Sequence, residues 1–429
     1  MPEYLPVGLE LDGGKLRVSI WDGQKPGHFP GISEFPALVG VCAGQIVWGF
    51  EAQKRQLDSP ETVLTLRECL SGKGLTTADT VYTCRTLLSS YWAALRTTLE
   101  AQLELPCTLK CIAVAWQISC RERALLTETA GVACHGGHVR VVDSAACILY
   151  HYQHHANYRL RGATVLCHLG EDGAELTLAE LNGDTLEILN SIWMPDCSAQ
   201  AIQNELAKLC LILTRQPPEQ LPHLLRQLRY QFDALAAVDR VPLYTTGGET
   251  EISRKDVLSA LESRVSQLSA ALDRLREETG FPPDRHGVMI SGALAKLPGV
   301  EDTLSPVFGG RPIVLEGDFR AADGACLIAA KICISSSCAG LLLNCAGTDC
   351  FLMEVNTGRI LATVHHWDTI PCRVQMLEPT RPGAIYQIVS ASGAHDLELV
   401  PATALLAKTA APLCIRLNAD HNIELELFE

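Results

Sequence analysis

The chain has 429 residues, a length typical of two or three domains. Hydrophobic residues make up 47% and charged residues 20%, a balance that excludes an intrinsically disordered chain. The net charge of −14, with no basic run, excludes the lysine- and arginine-rich surface through which proteins bind nucleic acid directly.

No run of about 18 apolar residues occurs, and the N-terminus has no basic segment before a hydrophobic stretch, so we expect no membrane partner. The 18 cysteines lie singly in apolar runs, as at Cys147, Cys167 and Cys210. This scatter favours buried free thiols over a secreted disulfide framework. A protein of the cytoplasm or the nucleus is the expectation.

Two stretches alternate between apolar and polar residues around a tight turn. Residues 7–23, VGLELDGGKLRVSIWDG, turn at Gly13-Gly14, and residues 163–190 turn at 170–173. A period of two predicts an antiparallel hairpin in each stretch. We expect GQIVWGF, residues 44–50, to add a third strand to the first hairpin.

Other patterns predict helices and one buried strand. The prediction is mostly helix over 58–104, a strand over 111–117, and helices over 122–133, 198–213 and 221–237. Leucines from Leu258 to Leu275 recur at helical spacing behind a capping-box-like Ser253. We expect this stripe to pack on its own domain, the alternative being a seam for a partner helix.

Alternating runs after residue 345, joined by glycine- and asparagine-bearing turns, predict a compact all-β domain. ISSSCAG, residues 334–340, is predicted to be a linker. A region rich in His and Cys precedes the second hairpin, with Cys134, His151 and His154 among its members. Such residues can ligate zinc, but no Cys-x-x-Cys pair accompanies them, which favours ordinary loop and surface histidines.

Several segments in chain order resemble motifs of the DnaK or heat-shock-70 chaperone family. The first hairpin is similar to that family's I-G-I-D-L-G-T-T-x-S-x-V, and IAVAWQISCRERALLTETAG, residues 112–131, is similar to its V-I-T-V-P-A-x-F-x-x-x-Q-R-x-A-x-x-x-A-G. Residues 288–304, VMISGALAKLPGVEDTL, resemble V-L-V-G-G-x-x-R-I-P-x-V, and LLLN, residues 341–344, resembles the hydrophobic interdomain linker. The chain is thereby identified as an atypical, degenerate member, closest in kind to the ribosome-associated, non-hydrolysing type.

The resemblance implies an α/β actin-like (RNase H-like) two-lobed ATPase fold followed by a small all-β substrate-binding-like domain without the family's helical lid. Residues 1–333 would form the degenerate nucleotide-binding domain, with lobes of about 1–160 and 161–333. Residues 334–344 would be the linker and 345–429 the β-sandwich-like domain.

Matched to the family motif, Asp12, Gly13 and Gly14 stand where the first phosphate turn has Gly-Thr-Thr. Arg67 stands at the family's catalytic lysine, which keeps the charge but replaces a compact ammonium by a planar fork. A backbone that approaches phosphate closely needs glycine and no like charge. Asp12 meets neither condition.

In the second turn, His168 replaces a water-positioning aspartate, Gly170 is retained, and Glu171 and Asp172 replace glycines. His168 as a general base is the alternative to a packed polar histidine. Gly292 matches the first residue of the family's Gly-Gly-Ser at the adenosine. One carboxylate ~4 Å from a phosphate charge costs about 4 kcal/mol at an effective dielectric near 20.

These substitutions predict a remnant nucleotide pocket with no cofactor, no catalytic residue and no metal ligand. We expect a chaperone-like pseudoenzyme that serves as a non-catalytic partner or scaffold subunit in a protein complex, with a J-protein as a candidate partner. The alternative is a slow ATP-dependent chaperone, with ATP as cofactor, that binds extended peptides. A sugar-kinase-like enzyme is disfavoured because the phosphate-loop glycines are missing.

Overall fold

The computed structural model describes residues 4–77, 80–134, 139–155, 163–182, 185–246, 248–280, 286–315, 317–335, 342–343, 349–366, 368–376, 378–392, 396–400, 403–418 and 421–427. The helices are α1 Gly49–Asp58, α2 Leu66–Leu70, α3 Cys84–Leu103, α4 Cys120–Ala130, α5 Ser144–His155, α6 Ala199–Thr214, α7 Leu221–Phe232, α8 Arg254–Glu262, α9 Val265–Thr279, α10 Val300–Phe308 and α11 Arg320–Ser335. Within these ranges no helix has both the length and the apolar character needed to cross a membrane.

The strands of the first half are β1 Leu5–Asp12, β2 Lys15–Trp21, β3 Pro26–Gly27, β4 Glu34–Pro36, β5 Leu38–Cys42, β6 Gln45–Trp48, β7 Val63–Thr65, β8 Leu75–Thr76, β9 Val81–Tyr82, β10 Cys107–Val114, β11 Arg140–Asp143, β12 Ala163–Leu169, β13 Ala174–Asn182 and β14 Thr185–Met194. Those of the second half are β15 Arg240–Thr245, β16 Gly248–Ser253, β17 His286–Ser291, β18 Ile313–Val314, β19 Leu342–Leu343, β20 Cys350–Glu354, β21 Arg359–Val364, β22 Cys372–Gln375, β23 Ile385–Ser392, β24 Asp396–Leu399, β25 Leu405–Leu406, β26 Leu413–Leu417 and β27 Ile423–Leu427.

The chain forms a mixed α/β protein that divides into two compact units. The first unit comprises Met1–Arg159, Leu181–Asn190 and Phe319–Glu429. The second comprises Leu160–Glu180 and Ser191–Asp318. The three-part domain division expected from the sequence stays a prediction.

The first mixed sheet has the strand order β11-β10-β1-β2-β3, and β4 also pairs with β2. Strands β1 and β2 are antiparallel across Gly13 and Gly14, which confirms the predicted hairpin. The backbone φ of Gly13 is 61°, a value that glycine adopts without strain. Strand β10 pairs parallel with β1 and with β11, so the hairpin is followed by two parallel strands.

The prediction that GQIVWGF extends this sheet is wrong. Its strand, β6, lies in a separate three-stranded sheet of order β6-β5-β7. Ala43 and Gly44, with φ of 49° and 78°, form a tight turn that folds β6 back onto β5. Strand β2 pairs instead with β3 and β4, which come before β6 in the chain.

Helix α11 packs very closely on the first sheet because two glycines leave room for it. A Cβ atom on Gly8 of β1 would lie 2.0 Å from the backbone nitrogen of Cys326 in α11. A Cβ atom on Gly324 of α11 would lie 1.9 Å from the carbonyl oxygen of Cys147 in α5. Any side chain at either glycine would therefore push the helix away from its neighbours.

The second mixed sheet has the order β18-β17-β12-β13-β14-β19. Strands β12 and β13 are antiparallel across residues 170–173, which confirms the second predicted hairpin. Strand β17 pairs parallel with β12 and with β18. Like the first sheet, it combines a hairpin with parallel strands.

The leucine stripe from Leu258 to Leu275 lies on two helices, α8 and α9, rather than one. The Ser253 capping box is present, with Asp256 as its partner. At the end of helix α8, the guanidinium of Arg264 donates to the carbonyl of Ala260 at 2.5 Å and so satisfies an acceptor that the ended helix leaves without a helical donor. The later leucines of the stripe are buried within the second unit, as predicted for packing on the parent domain.

The expectation of mostly helix over 58–104 holds only in part. Helix α3 fills residues 84–103, but α2 is a short helix between β7 and the hairpin of β8 and β9. The helices predicted over 122–133 and 198–213 correspond to α4 and α6. The helix predicted over 221–237 is shorter, because α7 ends at Phe232 and a 3₁₀ turn covers Asp233–Ala236.

The described part of the C-terminal region is all β, as predicted, and its strands pair antiparallel. One sheet has the order β21-β20-β23-β24, with β25 paired to β23, and the other has the order β22-β26-β27. Its core contains Leu352, Tyr386, Ile388 and Ile415. Upstream, β19 pairs parallel with β14. Two residues of the leucine-rich linker, Leu341 and Asn344, lie outside the described residues.

Candidate functional site

The first turn lies above a buried cluster of charges. Pairing of β1 with β2 sets Glu10 opposite Arg17. Nη1 of Arg17 lies 3.2 Å from Oε2 of Glu10 and 3.5 Å from Oδ2 of Asp12. The three side chains are only 7%, 3% and 2% exposed. The carboxylate of Asp12 is therefore held beside a cation of its own hairpin.

Arg17 is a site residue that the sequence reasoning missed. The signal was present, because the hairpin register alone places residue 17 across from residue 10 on the same face of the sheet. Its Nε also lies 3.8 Å from Oε2 of Glu34 on β4. Three carboxylates thus surround one guanidinium at the base of the turn.

Arg67, at the position matched to the catalytic lysine, projects from α2. A capping box between Thr65 and Glu68 fixes the start of this helix. Burial raises the pKa of Glu68, but hydrogen bonds from the Thr65 backbone N–H and from Lys73 outweigh it, so that the pKa lies below its ordinary value. The guanidinium carbon of Arg67 lies 5.4 Å from the ring centroid of Trp116, a cation–π contact.

The backbone of the second turn is hydrogen-bonded within its own unit. The amide of Gly170 donates to the carbonyl of Gly173 at 2.9 Å. The carbonyls of Gly170 and Glu171 accept from the amides of Ala199 and Gln200, at 3.1 and 3.0 Å. The turn is therefore closed on itself and fastened to the first turn of α6.

Gly173 packs on an indole ring. A Cβ atom at residue 173 would lie 2.1 Å from Cζ2 of Trp193, a residue near the end of β14. No side chain fits in that space. The last glycine of the turn is therefore explained by packing against Trp193.

Asp172, one of the two acids in the turn, has a partner on α6. With its amide oriented to satisfy both neighbours, the side chain of Gln200 donates to Oδ1 of Asp172 at 3.2 Å. The same amide accepts from Nη2 of Arg229 at 2.6 Å. Gln200 thus links the acid of the turn to a cation on α7.

His168 and Gly292 lie on neighbouring strands of the second unit. His168 is 3% exposed, and its Nδ1 lies 3.0 Å from Oγ of Ser291, its partner in the parallel pairing of β12 with β17. Gly292 has a φ of 96°, and a Cβ atom there would lie 2.4 Å from the carbonyl oxygen of Leu169. The glycine lets the chain leave β17 directly against β12.

The candidate zinc ligands have separate partners among the described residues. The ammonium of Lys110 donates to Sγ of Cys134 at 3.1 Å. The ring of His151 lies 2.8 Å from the guanidinium of Arg320, and that of His154 packs edge-on against Tyr150. Residues 135–138, which include two more histidines, lie outside the described ranges.

Neither a protein-family model nor a curated protein matches the chain. The resemblance to the heat-shock-70 family therefore stays a prediction from its motifs.

Proposed function

We propose that the chain is a chaperone-like pseudoenzyme of the heat-shock-70 kind that acts as a non-catalytic partner or scaffold subunit in a protein complex. The observation that carries this proposal is the closed second turn. The Gly170 amide is bound to the Gly173 carbonyl, and Trp193 fills the space beside Gly173. Phosphate binding by a turn needs backbone amides that point at the ligand, and the Gly170 amide of this turn is already bonded within it.

The first turn supports the same proposal. A phosphate approaching Gly13 and Gly14 meets Asp12 and Glu10, and the nearby cation Arg17 is already hydrogen-bonded to both carboxylates. Arg67 is engaged with the Trp116 ring. Arg17 and Arg67, the cations that would have to bind phosphate, therefore already interact with side chains of the protein itself.

A protein-binding role is supported by an apolar patch at the end of α6. Leu209, Ile212 and Leu213 are 46%, 73% and 72% exposed. Their spacing of three and four residues places them on one face of the helix. Contiguous exposed apolar side chains of this kind mark interaction surfaces. A J-protein is the first partner to test.

Isothermal titration calorimetry of the full-length protein with Mg-ATP tests the loss of nucleotide binding. We expect no measurable heat of binding, and a micromolar dissociation constant would contradict the proposal. The triple variant Asp12→Gly, Glu171→Gly, Asp172→Gly should recover weak binding at best, because Trp193 still covers the turn. A cooperative thermal transition for each protein shows that it is folded.

Affinity purification from cells under matched expression tests the partner role. The variant Ile212→Asp, Leu213→Asp should lose a stoichiometric partner that the wild type retains, because two charges replace the apolar patch. Val81→Asp, at an apolar residue that is 69% exposed elsewhere in the chain, is the control and should retain it. If the wild type, the double variant and the Val81→Asp control all recovered the partner equally, the apolar patch would not be the binding surface.

One observation favours the alternative, a chaperone that binds extended peptides. Leu397 and Leu399 are 55% and 58% exposed on β24, which ends its sheet in the described region, where a partner strand could pair. Fluorescence anisotropy with unrelated hydrophobic heptapeptides separates the two functions. The scaffold proposal expects weak, fast-exchanging binding, whereas tight and slow binding of many peptides would support the chaperone.

A further inference from the structure

A lysine of the first sheet and a cysteine beyond α4 meet inside the first unit. Lys110 lies on β10, and Cys134 follows the 3₁₀ turn Gly131–Ala133 that comes after α4. The ammonium of Lys110 donates to Sγ of Cys134 at 3.1 Å, and the hydroxyl of Thr108 donates to the same sulfur at 4.0 Å. A nitrogen and a sulfur that can both act as nucleophiles are therefore held within reach of one another.

The strand aims Lys110 at this sulfur through an irregularity in its pairing. Between Val7 and Gly8 of β1 the register with β10 shifts by one residue, and Lys110 is the extra residue on β10. An extra residue of this kind re-aims a side chain, and such irregularities are common beside functional sites. Lys110 is only 8% exposed, so its ammonium reaches Cys134 rather than extending into solvent.

We propose that Cys134 and Lys110 form a redox-sensitive modification site, in which a peroxide oxidises the thiol and the lysine nitrogen captures the oxidised sulfur as a covalent sulfenamide. The new S–N bond fastens the segment after α4 to β10. The inference concerns two parts of the first unit and does not depend on the proposed function.

Cys134 is the member of the pair that an oxidant reaches. It is partly exposed, whereas Lys110 is buried. The thiolate is the reacting form of a cysteine, and the Lys110 ammonium stands beside the sulfur, where it balances the negative charge. Peroxide converts an accessible thiolate to a sulfenic acid, and a sulfenic acid condenses with a neighbouring nitrogen to a sulfenamide.

The reaction balances in two steps. In the first, the Cys134 thiolate attacks one oxygen of hydrogen peroxide, the O–O bond breaks, and a sulfenic acid forms with release of hydroxide. The hydroxide takes a proton from the Lys110 ammonium, which leaves a neutral amine and one water. In the second, the amine nitrogen attacks the sulfenic sulfur, the S–O bond breaks, and a second water leaves. The sulfur gives up two electrons, and one peroxide is reduced.

Cys333 on α11 is the competing partner. It is partly exposed, and its thiol lies near enough to Lys110 and Cys134 for their charges to act on it. The lysine nitrogen is favoured because it already lies 3.1 Å from the sulfur, and because the first step removes the proton that blocks its attack. A disulfide between Cys134 and Cys333 is therefore the product that the test must exclude.

The test treats the reduced full-length protein with hydrogen peroxide, blocks free thiols with an alkylating reagent, digests with trypsin and maps the peptides by fragmentation mass spectrometry. We expect a Cys134–Lys110 linked peptide with cleavage after Lys110 blocked, and its disappearance after dithiothreitol. The link should be absent in Cys134→Ser. It should be retained in Cys333→Ser, the matched control, which removes the neighbouring thiol instead.

Lys110→Arg separates capture by nitrogen from simple oxidation of the thiol. The variant keeps a cation beside the sulfur, but a guanidinium stays protonated and cannot attack. Dimedone, a reagent that traps sulfenic acids, should therefore label Cys134 several-fold more in Lys110→Arg than in the wild type. Equal labelling of the two proteins would count against capture by the lysine.

Two results in the wild type would overturn the proposal. One is a Cys134–Cys333 disulfide as the main product. The other is Cys134 that accumulates as a sulfenic or more highly oxidised acid while Lys110 stays unmodified. Both are read from the wild type alone, so neither depends on a variant that folds, and a cooperative thermal transition shows which variants can be compared.

Discussion

The indole of Trp193 occupies the space that a side chain on residue 173 would need, with 2.1 Å between the position of a Cβ atom and Cζ2. A glycine in a turn of this kind is readily assigned to phosphate binding. Here the packing of the ring accounts for it. The same sequence feature therefore has a structural cause within the second unit.

Gly173→Ala should lower the free energy of unfolding by roughly 1–3 kcal/mol, because overpacking displaces the ring or the turn. Urea denaturation measures the change. Gly310→Ala is the control, because a Cβ atom there meets nothing within 4 Å, and it should leave stability nearly unchanged. In the background Trp193→Ala the penalty of Gly173→Ala should shrink, and strictly additive effects would argue against the contact.

Arg17→Met should be among the most destabilising single changes in the first unit. It leaves Glu10 and Asp12 buried without the guanidinium that lies 3.2 and 3.5 Å from them. Removing one member of a buried charge cluster costs about 3–5 kcal/mol. Arg240→Met is the matched control, since its pair with Glu251 is exposed and worth about 1 kcal/mol or less. Equal losses in the two variants would contradict burial of the Arg17 cluster.

The pair of Asp349 and His366 predicts a pH-dependent contribution to stability. The hydrogen bond from the His366 ring, supported by the His366 backbone N–H, lowers the pKa of Asp349 below its ordinary value of 3.8, despite partial burial. A depressed folded-state pKa stabilises the protein above the unfolded value and is lost as pH falls through the folded one. The contribution is therefore complete at neutral pH and declines below 3.8.

Asp349→Asn removes this titration and is the variant to measure. The difference in unfolding free energy between wild type and variant should be largest at neutral pH and should shrink as the pH falls below 3.8. Urea titrations across that range provide the measurement. A difference that stays constant with pH would show that the carboxylate charge plays no part.

The pairing of β19 with β14 predicts an asymmetric exchange pattern in the linker. Leu342 lies opposite Leu186, and Leu343 lies opposite Glu187. Successive N–H groups of a strand point to opposite edges, so one of the two linker amides faces β14 and the other faces away. Hydrogen exchange measured residue by residue should find one amide protected and the other fast. Equally fast exchange at both would show that this segment is detached in solution.

Local patterns predicted both hairpins, the Ser253 cap and the all-β C-terminal region, because alternation and capping residues act over a few positions. The local pattern assigned GQIVWGF to the wrong sheet. The tight turn that folds this strand back onto β5 contains Ala43 with a left-handed φ of 49°, a conformation that an alanine in the sequence does not indicate. In the site, the cross-strand register could have revealed Arg17. The contacts of Trp193 with Gly173 and of Gln200 with Asp172 could not be foreseen, because each joins residues from different elements whose packing no local pattern specifies.

The close fit of α11 against Gly8 and Cys147 bears on how the chain is made. The helix begins at Arg320, so the face of β1 that it covers is synthesised some three hundred residues earlier. During synthesis at about 5–20 residues per second, that face waits on the order of tens of seconds without its own covering helix. A nascent chain of this protein therefore carries a sheet with one uncovered face through most of its translation, and that face is covered only once α11 has left the ribosome.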